Sequence, residues 1–231
     1  MGEERREARL GSRLSACAQY VREGARVADV GTDHAHLAVW LIRSGRASEV
    51  IATDINEGPL SLAQRNIEQS GTSDRIKTVL CDGLTGIGQD GADDVVIAGM
   101  GGDVIIHILE EAQWLQNEKY RLILQPMSKA ERLRAYLCRT GFEIEDETAV
   151  RDAGRLYTVI CAAFGGKGAE PTLVMEYGGA LLGKHDELSR EYISRAAKAM
   201  RKKAEGLRHC GDEKAAQELF DAAQQMEGEE Q

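Results

Sequence analysis

Two aspartates, or an aspartate and two histidines, could bind a cation, carry a proton or ligate a metal when packed this closely: Asp29, Asp33, His34 and His36 all fall within DVGTDHAHL (29–37). The stretch follows EGARVA, which has the apolar density of a buried strand, and it leads into AVWLIRSG, which reads as a helix. A glycine-rich turn between a first strand and a first helix ordinarily wraps the phosphates of a dinucleotide, and then reads G-x-G-x-x-G. Here those three positions hold Gly31, Asp33 and His36. Asp33 would repel a pyrophosphate but attract an ammonium or a sulfonium. The turn, including Thr32 and His34, is therefore read as a site for S-adenosyl-L-methionine.

Further acids stand where later strands should end. Asp54 closes a strand about 20 residues beyond the glycine turn, where an acid can accept hydrogen bonds from both ribose hydroxyls. Beside it, Ile55 can cover an adenine ring and Asn56 extends the same tip. Asp82, in CDGL, is placed to accept from the exocyclic amine of that ring, with the backbone of Gly83 and Leu84 along its edge. Asp29, at the tip of the first strand, would support the methionine moiety. Each aspartate alone could equally be a turn or N-cap residue. Three at successive strand ends favour a nucleoside-containing cofactor. A fourth strand ends in IAGMGG (97–102), where Ala98, Gly99 and Met100 would border the cofactor and the glycines would let a planar acceptor approach. Gln125, in LQPM, offers an amide on the same rim.

Rival chemistries use the same residues. A metal-dependent hydrolase would take Asp33, His34 and His36 as ligands, but three ligands from one short loop are sterically awkward and no clustered fourth is visible. No metal is expected. A non-catalytic nucleotide sensor would need only the cofactor half, and a methyltransferase with a small-molecule or protein acceptor would share all of it.

These tips require a particular scaffold. Strand signals at 25–30, 49–54, 75–81, 94–98 and 121–125 alternate with helical stretches near 35–44, 57–70, 103–117 and 129–140, the pattern of a parallel sheet covered on both faces. Runs at 142–150 and 155–164 are joined by a turn at Gly154, too short for a parallel crossover, so the last strand must run against the others. The expected fold is an α/β, doubly wound, mostly parallel seven-stranded sheet with one antiparallel strand. Leu10, Leu14, Cys17 and Val21 recur at helical spacing and predict a helix over 4–23. After the linker GGKGAEP, a helical region over about 178–228, broken at HCGDEK (209–214), reads as a hairpin. The division is thus 1–165, a cofactor-binding domain, and 166–231, a linker and a coiled-coil-like appendage.

The chain has 231 residues, enough for one sizeable core and a small appendage. Its five cysteines show no CxxC pairing and read as reduced filler. MGEERREARL is charged throughout, unlike a signal or transit peptide, and no apolar run reaches the roughly 20 residues of a membrane span. The expectation is a cytoplasmic protein without membrane partners, monomeric or weakly dimeric.

Taken in order and spacing, DVGTDHAHL, ATDINEGPL, CDGL, VIAGMGG and LILQP resemble the bacterial TrmK family of tRNA methyltransferases, and the likeness extends through LGSRL near the start to the helical end of the chain. DHAxL together with AGMGG is the specific part. The resemblance implies a class I methyltransferase domain, tRNA as partner, N1 of adenosine 22 as acceptor, and an appendage that helps hold the RNA. Two positions depart from the pattern: His36 stands where tyrosine is frequent, and Met127 where a polar residue is frequent.

On that footing, adenine N1 has its own lone pair and the obstacle is access, because N1 lies on the pairing edge and must be turned outward. His36 or Met100 would stack on the base, Gln125 would grip its edge, and Gly99, Gly101 and Gly102 would leave it room. Asp33 would stabilise the cationic product or take its proton, with His34 as second choice. With a net charge of −9, RNA binding needs a local basic surface, for which Arg9, Arg13, Lys198, Arg201 and Lys202 are the candidates.

Overall fold

The structure, a computed structural model, describes residues 10–228. Seven strands form one sheet in the order β3-β2-β1-β4-β5-β7-β6: β1 (Ala25–Val30), β2 (Ala47–Asp54), β3 (Ile76–Leu80), β4 (Asp94–Gly101), β5 (Arg121–Ser128), β6 (Phe142–Asp152) and β7 (Arg155–Phe164). β1 to β5 pair in parallel. β7 inserts between β5 and β6 and is antiparallel to both, as the short connection demands. Its hairpin turns through Ala153 and Gly154, both at positive φ (46° and 75°), the conformation that suits the right-handed twist of the flanking strands.

Alternation along the strands divides the core. Val96 of β4 and Ile123 of β5 face a layer formed with α1 (Ser12–Tyr20), α2 (His36–Arg43) and α3 (Glu57–Ser70). Val95, Ile97, Leu122 and Leu124 face the other layer, with α4 (Gly102–Glu111) and α5 (Ala130–Arg139). Burial on both sides explains why these strands read as continuous apolar runs. Of the helix expected over 4–23, residues 4–9, Arg9 among them, lie outside the described residues, and the described part is helical only over Ser12–Tyr20. The helix expected over 103–117 is shorter, because α4 stops at Glu111 and a single 3-10 turn, Gln113–Leu115, follows.

Beyond the sheet, α6 (Leu173–Gly178), a 3-10 turn (Gly179–Gly183), α7 (Glu187–His209) and α8 (Glu213–Gly228) share a third apolar cluster that reaches Ala149 of β6. Helix therefore begins before 178 and is interrupted at Gly179. That glycine has φ 57°, and a Cβ there would collide with the carboxylate of Glu147 and the guanidinium of Arg134. These two form an ion pair at 3.0 Å with side chains 0% and 2% exposed. Asp186 caps α7 by accepting from Ser189 N (3.0 Å), and Asp212 accepts from Ala215 N (3.1 Å) ahead of α8. Among the described residues, no helix is long and apolar enough to cross a membrane.

Candidate active site

The strand order reverses between β1 and β4, and a cavity of about 580 Å³ opens at the carboxyl ends of the strands there. This is where ligands bind in doubly wound sheets, and the volume lies in the ordinary range for small-molecule pockets, ~300–1,000 Å³.

The β1 tip is built by its own loop. Gly31 (φ 73°) breaks the strand, and the N–H groups of Gly31 and Thr32 both donate to the Thr53 carbonyl (2.8 Å each), stitching the turn to β2. His34 and Ala35 are left-handed (φ 61° and 54°), a conformation costing about 1–3 kcal/mol per non-glycine residue. Asn66 of α3 secures the strained turn by donating from Nδ2 to the His34 carbonyl (2.9 Å). A Cβ on Gly31 would displace the methyl end of Met100, and the left-handed backbone there favours glycine.

Asp29 is 6% exposed, and its carboxylate accepts one hydrogen bond, from Thr32 Oγ1 at 2.8 Å. Burial pushes its pKa up to about 6, and the Thr32 hydroxyl partly opposes the rise. Asp54 accepts at Oδ1 from Asn56 N (2.8 Å), which fixes the turn into α3. Ile55 is 60% exposed over the cavity mouth. Asp82 and Gly83 border the next wall, and Ala98, Gly99 and Met100 the fourth. An under-compensated buried carboxylate below the half-buried Asp54 and the exposed Asp82 fits a ligand with cationic groups and does not fit a pyrophosphate.

The opposite wall is assembled from distant segments. Arg13 of α1 lines the cavity, with Nε on Asp152 Oδ2 (2.8 Å), Nη1 on Gln125 Oε1 (2.8 Å) and Met127 Sδ (3.4 Å), and its guanidinium 5.5 Å from the Tyr157 ring centre. Gln125 is 0% exposed; its Oε1 also accepts from Gly99 N (3.2 Å), and its Nε2 donates to the Pro126 carbonyl (2.9 Å). Both ends of this amide are in use. Gln125 thus holds Arg13 and the left-handed Gly99 (φ 82°) in place and presents no free edge to the cavity.

Within 10–160 the chain matches the model of a methyltransferase domain. It is 37% identical, over 177 residues, to the tRNA (adenine(22)-N(1))-methyltransferase of Bacillus subtilis, covering 77% of this chain and 74% of that one. The chain belongs to the tRNA (adenine(22)-N(1))-methyltransferase family. The crystal structure of the Bacillus subtilis family member, TrmK, superposes with a TM-score of 0.80 at 32% identity, covering 95% of this chain and 96% of that one. A Streptococcus pneumoniae chain crystallised with S-adenosyl-L-methionine gives a TM-score of 0.75 at 30% identity, covering 95% and 98%.

Against this family background, the expected residues separate into groups. Asp29, Gly31, Thr32, Asp33, His36, Asp54, Ile55, Asn56, Asp82, Gly83, Ala98, Gly99 and Met100 all line the cavity. Leu84 does not: its side chain is 3% exposed and belongs to the core. His34 is turned aside, with Nε2 3.1 Å from Asp33 Oδ1 and its ring stacked on His36 at 5.6 Å. Among the described residues, no three His, Cys, Asp or Glu side chains gather in a metal-binding group. Gly102 serves packing, since a Cβ there would lie 2.5 Å from the Lys129 carbonyl; a Cβ on Gly101 would meet only the Ser128 hydroxyl at 3.4 Å, and only Gly99 of that trio borders the cavity. Arg13, expected on an RNA-facing surface, lies in the pocket wall. Lys198 and Lys202 are exposed on α7, whereas Arg201 is paired with Glu227 of α8.

Leu14, Val30, Leu37, Thr53, Cys81, Val104 and Ile108 also line the cavity; their place there escaped the sequence reading, as did Asn66. Arg13 had a legible signal: it lies three residues after Leu10 and four before Cys17, on the stripe that α1 buries.

Proposed function

We propose that this chain transfers the methyl group of S-adenosyl-L-methionine to N1 of adenosine 22 in tRNA, acting in the cytoplasm as a monomer or weak dimer. The observation that carries the reading is one cavity with carboxylates at three successive strand tips on one side and the Arg13 wall on the other. When bound, S-adenosyl-L-methionine supplies an electrophilic methyl group.

In this reading Asp29 holds the cationic methionine end, Asp54 accepts from the ribose hydroxyls, and Asp82 with the Gly83 backbone accepts and borders the adenine under Ile55. Gly31 and Thr32 shape the turn, while Ala98 and Met100 close the fourth wall. The acceptor nitrogen already carries a lone pair, so the residues on the far wall act by positioning. Gly99 leaves the approach open, Arg13 and Gln125 fix its geometry, and His36 supplies a ring at the mouth for stacking. Methylation makes the acceptor ring cationic. Asp33, with its side chain 81% exposed at the mouth and His34 beside it, stabilises that charge and passes the surplus proton to solvent. The segment from 166 onward holds the RNA through Lys198, Arg201 and Lys202.

Incubating the purified chain with methyl-labelled donor and tRNA, then mapping the labelled nucleoside, tests the reading. It expects 1-methyladenosine at position 22 and no label in a transcript carrying guanosine there. Label at another position, or none, contradicts it.

A further inference from the structure

Two smaller cavities continue from the Arg13 wall toward the helical end of the chain. The first, about 190 Å³, begins at Met127 and Tyr157, two of the side chains that touch Arg13. The second, about 220 Å³, ends against Arg195 and Ala199 of α7. Glu131, Leu156 and Tyr192 line both, so the two form one groove with Tyr192 at its middle. Tyr192 is held there by the buried Arg134, whose Nη2 donates to its hydroxyl at 3.2 Å. Each cavity is smaller than the ~300 Å³ at which small-molecule pockets begin. A chain laid across both suits the shape better than a compact ligand.

Charge decides which chain. The cavity mouth on the β1–β3 side carries Asp33, Asp54 and Asp82, which repel a phosphate backbone. On the opposite side, Lys129 and Arg195 line the groove with Glu131; Lys129 shares Asp103 with Arg132, and Arg195 shares Glu191 with Arg151. That leaves a local excess of positive charge on a chain with net charge −9, and Lys198 and Lys202 extend it along α7. A polyanion whose base enters the main cavity must therefore leave over Met127 and Tyr157. Aromatic rings set among cations are the usual platform for unpaired nucleotides.

The geometry points to this groove as the seat of the single-stranded nucleotides flanking the methylated adenosine, with Tyr157 and Tyr192 as stacking faces and Lys129 and Arg195 as phosphate contacts. The inference rests on the tRNA reading above and adds the path of the strand.

Measuring tRNA affinity of full-length Tyr192→Ala, Arg195→Glu and, as a control at the opposite sheet edge, Lys77→Glu tests it. Arg195→Glu should weaken binding about tenfold and reduce the slope of affinity against salt by about one. Tyr192→Ala should weaken it between about fivefold and a hundredfold, the range for loss of one base–aromatic stack. Lys77→Glu, with the same change in net charge, should bind as wild type, and all three should retain S-adenosyl-L-methionine binding. If Tyr192→Ala fails to fold, Arg195→Glu decides alone, since its side chain is 54% exposed. Wild type that methylates tRNA while Arg195→Glu binds it with unchanged affinity and salt slope overturns the groove and leaves the function reading intact. Wild type that binds no tRNA overturns both.

Discussion

The two walls of the main cavity are built in opposite ways. On the β1–β3 side Asp29 and Asp54 are each fixed by their own loop, Asp29 by Thr32 and Asp54 by the N–H of Asn56. On the β4–β7 side the working group is Arg13, anchored to Asp152 and Gln125 at 139 and 112 residues' separation. A wall made of short loops keeps its shape if a neighbouring loop is altered. A wall made of one shared hydrogen-bond network moves as a unit, so substitutions within it should be strongly non-additive. The cofactor side can therefore be damaged locally, and the acceptor side through distant residues.

The largest expected effect lies under the acceptor side. Among the described residues, Glu147 is the sole carboxylate paired with buried Arg134, and it also accepts from Thr158 Oγ1 (3.1 Å) and Ala180 N (2.7 Å). Glu147→Ala leaves a buried charge without its partner and should cost about 3–5 kcal/mol of stability, a fall of roughly 10 °C in Tm. Thermal unfolding measures this; a shift of a degree or two would show that α7 docks independently of the pair.

The next effect sharpens the cofactor side. Because burial raises the Asp29 carboxyl from 3.8 to about 6, its contribution to stability is complete below 3.8 and lost as pH rises through about 6. By linkage this group should make the unliganded chain less stable at pH 8 than at pH 4 by up to ~3 kcal/mol. Affinity for a cationic cofactor should move the other way, rising as the carboxylate ionises. Asp29→Asn should flatten both profiles, and calorimetry paired with unfolding between pH 5 and 8 follows them. A wild-type affinity that stays level across pH 6 would remove Asp29 from the cofactor site. The smallest effect concerns the strained turn: Asn66→Ala withdraws the donor from His34 O and should cost about 1 kcal/mol, read as faster local hydrogen exchange at 33–36.

What was legible in the sequence follows the same division. Strand alternation, the Asp54 and Asp82 tips and the antiparallel β7 depend on neighbours a few residues away, so periodicity and turn chemistry report them. The role of Gln125 does not, because its amide is consumed by groups that only the folded sheet brings together. Arg13 is intermediate. Its place on the apolar stripe of α1 was visible, yet nothing local pointed to Asp152 as the partner that draws it into the pocket. Gly102 misled for a related reason: a glycine signals a close approach without naming what approaches, and here it is the Ser128 and Lys129 backbone. Helix α6 begins before its expected start because Thr172 caps it, accepting from Met175 N (3.2 Å), and its interruption at Gly179 was hidden because the sequence does not reveal the Arg134–Glu147 pair that this glycine accommodates.

The division of labour between the walls is tested most directly by titrating wild type, Asp54→Ala and Arg13→Ala with S-adenosyl-L-methionine and, separately, with tRNA. The account predicts that Asp54→Ala weakens the cofactor between about tenfold and a hundredfold, the loss of hydrogen bonds to a charged acceptor, while tRNA affinity holds. Arg13→Ala should do the reverse, sparing the cofactor and weakening tRNA binding. Both variants losing the same ligand, with the other untouched, would contradict it.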